Sequence, residues 1–342
     1  MHISDFDYDL PEELIAQVPL AERDASRMLV LDRESQTWTD STFQSFTAYL
    51  KRNDVVVVND TRVIPARLIG RRRGSGGRVE VFLVRRLSAE SWEALVRPGS
   101  RLKQGAIVEF GDQLSGEIVD EPGKELREVR FTSSYPFDEV LTKIGQTPLP
   151  PYIKRNENRT DDRERYQTVY AQHAGAIAAP TAGLHFTPRV LSEVREKCRL
   201  AEITLHVGYG TFEPVRVDEV EQHSVGNERF EINESTAQLL TAARKNGSRI
   251  LAVGTTTVRA IESAAGEQGV ILAQLGHAEL TITPGHTFRA VDALLTNFHL
   301  PRSSLLLLVS AFAGKDLVLA AYRHAVQERY RFYSYGDCML IL

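Results

Sequence analysis

Histidine, hydroxyl and glycine residues gather at a few points of this chain, each time beside an apolar run. In GAIAAPTAGLHFT, residues 175–187, Pro180, Thr181, Gly183 and His185 fall within six positions. An imidazole there offers general acid–base chemistry. A glycine admits backbone or ligand where a side chain would block it. Thr187 followed by Pro188 reads as an N-cap and a first helical residue. Pro180 cannot donate to a ladder, so it is expected to end a strand. Residues 181–186, through Phe186, then form a loop at a strand end, where open α/β sheets bind ligands. A histidine in a tight turn also has a plainer role, satisfying a hydrogen bond in the core.

The pattern recurs. RILAVGTTTVRAIES places Gly254, Thr255, Thr256, Thr257 and Arg259 between a strand and a helix. Hydroxyls and open N–H groups at a helix N-terminus suit a carboxylate or a phosphate, although one threonine would suffice as a cap. ITLHVGYGTFEPVR carries His206, Gly208, Tyr209, Gly210, Thr211, Phe212 and Glu213. Its flanked aromatics can present a ring face to a base. TNFHLPRSSL holds Asn297, Phe298, His299 and Ser303, and NDTRVIPARL holds Asn59, Asp60, Arg62 and Arg67. Any one junction has a loop-packing explanation; five together point to a site.

The elements that must position them follow from hydrophobic pattern. DVVVVND reads as a buried strand and a turn. From about residue 70 to 132, short alternating runs with turn residues every ten positions or so predict a small antiparallel barrel or sandwich. PLPPYIKR is a proline-rich return, after which strands alternate with helices. The fold class is therefore α+β or α/β: a large α/β domain made of residues 1–69 and 147–342, with a β-barrel domain of residues 70–146 inserted.

Composition bounds the possibilities. A chain of 342 residues with 42% hydrophobic and 25% charged residues is an ordinary globular protein. The net charge of −4 argues against a generally basic coat, yet residues 62–86 hold eight arginines and one acid, Glu80. Such a run is a solvated face or a phosphate footprint. Two cysteines without metal-type spacing suggest a reducing compartment. The acidic start lacks an apolar signal core, and the apolar run at 305–313 is too short to span a bilayer. A soluble cytoplasmic protein is expected. No GxGxxG, P-loop, HExxH or Gly-x-Ser-x-Gly pattern occurs, so neither a dinucleotide fold nor an NTPase is indicated and no metal is expected.

VVVVNDTRVIPARL, GAIAAPTAGLHFT, HVGYGTFEPVR, AVGTTTVRAIES, TNFHLPRSSLLLLVSAFAG and FYSYGDCMLIL resemble the S-adenosylmethionine:tRNA ribosyltransferase-isomerase family of queuosine biosynthesis. The resemblance runs in order through essentially the whole chain. One departure stands out: where the family shows His-x-Met-His-x-Glu, this chain reads HSVGNE, keeping His223 and Glu228 but placing Gly226 at the second histidine. The resemblance implies a large barrel-like α/β domain with a small inserted β-barrel. It implies transfer and isomerisation of the ribosyl part of S-adenosylmethionine onto the aminomethyl group of preQ1 at the tRNA wobble position. Epoxyqueuosine-tRNA, adenine and methionine would be the products. S-adenosylmethionine is a consumed cosubstrate, so no further cofactor or metal is expected. The macromolecular partner would be a preQ1-bearing anticodon stem-loop, with no membrane, and a monomer or weak homo-oligomer is expected.

That chemistry needs a base for a proton beside the sulfonium, donors for the methionine carboxylate, and a neutral amine. His185 is the first choice for acid–base work, with Asp60 and His206 next and Glu213 beside the sulfonium or amine. Thr255–Thr257 with Arg259 would hold the carboxylate. Tyr209 and Phe212 would stack on a base, and Asn297 and His299 would read base edges. Asn59, Arg62, Thr181, Gly183, Phe186, Gly208, Gly210, Thr211 and His223 complete the substrate site. Arg67 and Arg71, Arg72 and Arg73 would meet anticodon-stem phosphates. Two other classes remain: a small-molecule S-adenosylmethionine or nucleoside enzyme, and a non-catalytic RNA-binding protein gripping RNA with the β insertion.

Overall fold

The computed structural model describes residues 1–99, 102–154, 161–212 and 215–342. Its centre is a nine-stranded mixed sheet. In spatial order the strands are Gln274–Ala278, Glu228–Ile232, Arg199–Leu205, Val55–Asn59, Ile250–Val253, Ala293–Asn297, Cys338–Ile341, Arg27–Asp32 and Thr37–Thr42. The third to the sixth run parallel to one another. Val55 and Val57 face one core and Val56 and Val58 the other. Burial on both faces explains the unbroken valine run. Helices Glu234–Lys245, Thr255–Ala264, Ser304–Ala313 and Lys315–Gln327 cover the first face, and Pro188–Lys197 the second. The cap expected at Thr187 is present: its side chain accepts from Val190 N at 3.2 Å, with Pro188 in the first turn.

The β-rich insert is a closed six-stranded antiparallel barrel, ordered Arg127–Ser133, Ser91–Arg97, Arg78–Arg86, Arg67–Arg72, Ile107–Glu109 and Leu114–Ile118. Leu68, Val81, Ala94, Val108, Ile118 and Val129 fill its interior, and Val140 and Leu141 of helix Phe137–Ile144 pack onto it. The first barrel strand opens at Arg67, ahead of residue 70, because Leu68 already belongs to the barrel core.

The larger body is built on that mixed sheet, whose end strands, Gln274–Ala278 and Thr37–Thr42, do not pair with each other among the described residues. Two local expectations change. The run before Pro180 contributes only His173–Ala176, paired with Thr61–Val63 outside the large sheet. Pro180 instead caps a 3-10 turn, Thr181–His185. The apolar run at 305–313 lies in the buried helix Ser304–Ala313, and among the described residues no single helix is long and apolar enough to cross a membrane.

Candidate active site at the carboxyl edge of the parallel strands

Four of the five residue packets leave the carboxyl ends of the four parallel strands. Asn59–Asp60, Leu205–His206, Val253–Gly254 and Asn297–Phe298 all stand on one edge, the edge where open sheets bind ligands. The fifth packet, the 3-10 turn at 181–185, brings His185 within 3.2 Å of Asn297 on the same edge. Asn59 ties two strand ends together. Its Nδ2 donates to Leu205 O at 2.9 Å, and its Oδ1 accepts from Leu205 N at 2.9 Å and Thr61 N at 3.2 Å.

A cavity of about 900 Å³ opens between this edge and the barrel. His206, Gly208, Tyr209, Gly210, Gly226, Glu228 and Arg259 line it from the α/β side. Arg85, Arg86, Trp92 and Glu93 line it from the barrel, with Asp138 from the following helix. The His206 ring lies against Gly175, where a Cβ would come within 2.7 Å, so residue 175 leaves room for the imidazole. His206 Nδ1 is 2.8 Å from Thr61 Oγ1, which donates to His173 O at 3.4 Å. A hydroxyl that donates to a carbonyl is left to accept from the ring, which assigns the proton to Nδ1 and leaves Nε2 bare. Burial, with Arg229 and His173 nearby, holds His206 below the ordinary imidazole range. The geometry is that of a neutral base.

Glu228 and Arg259 form a buried ion pair in the same wall. Glu228 Oε1 also accepts from Gly208 N at 2.8 Å, which holds the glycine-flanked Tyr209 in place. The remaining Arg259 donors go to Gly226 O at 3.0 Å, Ala278 O at 2.8 Å and Leu280 O at 3.2 Å. The guanidinium is therefore committed to the wall, not offered to a carboxylate as expected from its position after the threonines.

A second, smaller chamber of about 50 Å³ shares Val207 and Leu305 with the large cavity. Thr181, Thr255, Thr256, Asn297, His299 and Tyr333 are among its lining. Thr257 is not, because its hydroxyl donates to Val253 O at 2.7 Å inside the helix. His299 pairs through Nε2 with Thr296 Oγ1 at 2.9 Å, and burial pushes its pKa down to about 3.

His185 stands behind that chamber and lines neither space. It is buried, with Nδ1 2.9 Å from Ser26 Oγ and Nε2 3.2 Å from Asn297 Nδ2. An amide nitrogen only donates, so Nε2 accepts and Nδ1 carries the proton. Burial, with Arg23 and Arg331 nearby, lowers its pKa to about 4. A neutral imidazole with both nitrogens bonded orients Asn297; it is not placed to move a substrate proton. Phe186, expected at the substrate, packs in the core against Phe43, Phe46 and Tyr170. Gly183 faces Tyr170, whose hydroxyl would lie 2.0 Å from a Cβ, so this glycine serves packing.

Asp60 is among the described lining residues of neither space. Its carboxyl accepts from Thr204 Oγ1 at 2.6 Å, lies 3.5 Å from His173 Nε2, and is raised by burial. His223 Nε2 is 2.7 Å from Ser304 Oγ, a residue of the large cavity's wall. Arg62 is exposed and donates to Ala171 O at 3.4 Å. Arg67 pairs with Glu80 at 2.8 Å, Arg73 with Glu109 at 2.7 Å, and Arg71 reaches Gly76 O at 3.1 Å. Arg72 lies in the same barrel strand. Glu213 falls outside the described residues, and Thr211 and Phe212 are described only as backbone in the turn Tyr209–Phe212.

Sequence reasoning missed Arg85, Arg86 and Trp92. The arginine run contained the first two, but only barrel closure turns its end toward the cavity. There Arg86 sits 5.5 Å from the Trp92 ring centroid and pairs with Asp138 at 3.1 Å. It also missed Tyr152, Tyr166 and Ser334 of the small chamber. Among the described residues no group of three or more His, Cys, Asp or Glu side chains is arranged to hold a metal ion.

The family described as queuosine biosynthesis protein matches residues 3–341. A protein of Syntrophotalea carbinolica named S-adenosylmethionine:tRNA ribosyltransferase-isomerase is 50% identical over 345 residues, covering 100% of both chains. Its namesake from Caldanaerobacter subterraneus subsp. tengcongensis is 49% identical over 344 residues, again covering 100% of both. The crystal structure of S-adenosylmethionine tRNA ribosyltransferase from Thermotoga maritima shares 38% identity, with a TM-score of 0.57, covering 99% of this chain and 100% of that one. A match over nearly the full length, with barrel and mixed sheet in the same chain, places this protein in the queuosine biosynthesis protein family.

Proposed function

We propose that the chain transfers and isomerises the ribosyl moiety of S-adenosylmethionine onto the aminomethyl group of preQ1 at the wobble position of a tRNA. Epoxyqueuosine-tRNA, adenine and methionine are the products. The observation that carries this is the large cavity itself: it joins a neutral histidine at the carboxyl edge to arginines on the barrel. The sulfonium acidifies the neighbouring C5′ protons, and His206 Nε2 is the base that takes one. The activated cosubstrate then loses adenine and methionine as the amine is joined to the ribosyl group. Tyr209, held by the Gly208–Glu228 bond, offers its ring to a base. Arg85 and Arg86 face the anticodon phosphates from the barrel rim. Both are in exposed ion pairs, with Glu93 and Asp138. Such pairs are worth at most about 1 kcal/mol, so a phosphate can replace the carboxylate partner.

The test is turnover. Purified protein is incubated with S-adenosylmethionine and a preQ1-containing anticodon stem-loop, and adenine is counted against modified nucleoside. Stoichiometric release of both is expected. Release from free preQ1 alone would favour a small-molecule enzyme. Tight stem-loop binding without adenine would favour a non-catalytic RNA-binding protein.

A further inference from the structure

The small chamber has three properties that together specify a ligand class. First, it receives the start of helix Thr255–Ala264, whose N-cap, Gly254, has no side chain to bond the first-turn N–H groups. Such a turn accepts an anionic oxygen. Gly254 N donates to Leu295 O at 2.8 Å, which sets this turn beside the end of the strand carrying Asn297.

Second, the chamber contains an acceptor that the protein leaves unused. Asn297 is 2% exposed, and its Oδ1 has no hydrogen-bond partner among the described residues. The orientation of the amide is not arbitrary. Nδ2 lies 3.2 Å from Tyr333 O and 3.4 Å from Asp337 O, and carbonyl oxygens need a donor. His185 Nε2 accepts from the same nitrogen. Three acceptors behind the amide hold Oδ1 toward the chamber. A buried acceptor left unpaired is destabilising, so its place in a ligand wall marks a donor to come.

Third, no Asp, Glu, Lys or Arg is among the described residues lining the chamber. A bare anion there would meet no counter-charge, whereas a zwitterion brings its own. At about 50 Å³ the space suits a head group the size of a few water molecules and excludes a purine ring. We propose that the chamber binds the α-amino-acid head of the cosubstrate, with the carboxylate on the first turn of helix Thr255–Ala264 and the ammonium donating to Asn297 Oδ1. This rests on the function proposed above. The thioether chain passes Val207 and Leu305, the residues common to both spaces, and delivers the sulfonium to the cavity holding His206. Asn297 thereby fixes the amino acid instead of reading a base edge, and His185 is the positioning residue behind it.

The experiment compares S-adenosylmethionine with its deaminated and decarboxylated analogues, using the unaltered protein and the preQ1 stem-loop, with adenine release as readout. Each analogue should raise KM roughly ten-fold to a hundred-fold, the worth of a hydrogen bond to a charged group, with kcat changed far less. In Asn297→Leu, the preference for S-adenosylmethionine over the deaminated analogue should disappear while the preference over the decarboxylated one persists. Equal KM for S-adenosylmethionine and the deaminated analogue in the unaltered protein would overturn the proposal and leave the proposed function standing. No adenine from any of the three would overturn the function, and this inference with it. Should Asn297→Leu fail to fold, the analogue comparison on the unaltered protein still decides.

Discussion

His206 and His185 lie at the same edge of one sheet, and both are held below the ordinary imidazole range by burial. His206 has one nitrogen on Thr61 and its ring in the wall of a cavity of about 900 Å³. His185 has Ser26 on one nitrogen and Asn297 on the other, and lines neither space. Lowered basicity alone does not distinguish a catalyst from a post. The difference lies in what the second nitrogen meets, and that is a property of neighbours far along the chain.

The sharpest way to break this comparison is kinetic. His206→Ala should lower kcat by roughly 10²–10⁴, the usual contribution of a positioned base. The same change at His185 should act through stability and KM; a loss at His185 as large as that at His206, measured by single-turnover adenine release, would reverse the two roles. Next in size is the wall that holds Tyr209. Glu228→Gln leaves Arg259 buried without its counter-charge and should cost about 3–5 kcal/mol in urea unfolding.

The pH dependence of stability separates the two histidines again. The folded pKa of His185 is about 4, against an ordinary 6.5. Between those values the unfolded chain binds a proton that the folded chain refuses. The contribution of His185 to stability is therefore complete above pH 6.5, declines as pH falls toward 4, and levels off below. The loss is about 3 kcal/mol for a fully buried ring. His185→Gln should flatten that decline in urea midpoints measured from pH 7 to 4, relative to the unaltered chain.

Smaller effects probe the cavity rim. Arg86→Ala should change stability by less than about 1 kcal/mol. It should raise the KM for the stem-loop and reduce the salt slope of binding by roughly one. The least change is expected at Gly226, the position where this chain departs from the family pattern. Among the described residues a Cβ there meets only Gly210 Cα, at 3.8 Å, so Gly226→His should fit with a melting temperature shift of no more than a few degrees. A large shift would mean that the cavity wall is tighter than its glycines imply.

Much of the architecture was legible because it is local. Alternation and turn spacing marked the barrel, the unbroken valines marked a strand buried on both faces, and Thr187–Pro188 marked a helix start. The packets at strand ends were also visible, and four of the five leave adjacent parallel strands. Their division of labour was not. Arg259 looked like an anion ligand until Glu228, 31 residues away, took its charge. The edge strand Thr37–Thr42, TWTDST, had no apolar face to announce it.

By itself, then, the amino-acid sequence determined which residues form strands, barrel and caps, because those depend on periodicity, side-chain shape and turn chemistry within a few neighbours. It also determined which chemical groups stand at the strand ends. Only the tertiary structure decided which of those groups remain open to a substrate. A hydrogen-bonding atom is available only where nothing else satisfies it, and the partners that satisfy His185, Arg259 and Asn297 Nδ2 arrive from distant segments of the folded chain.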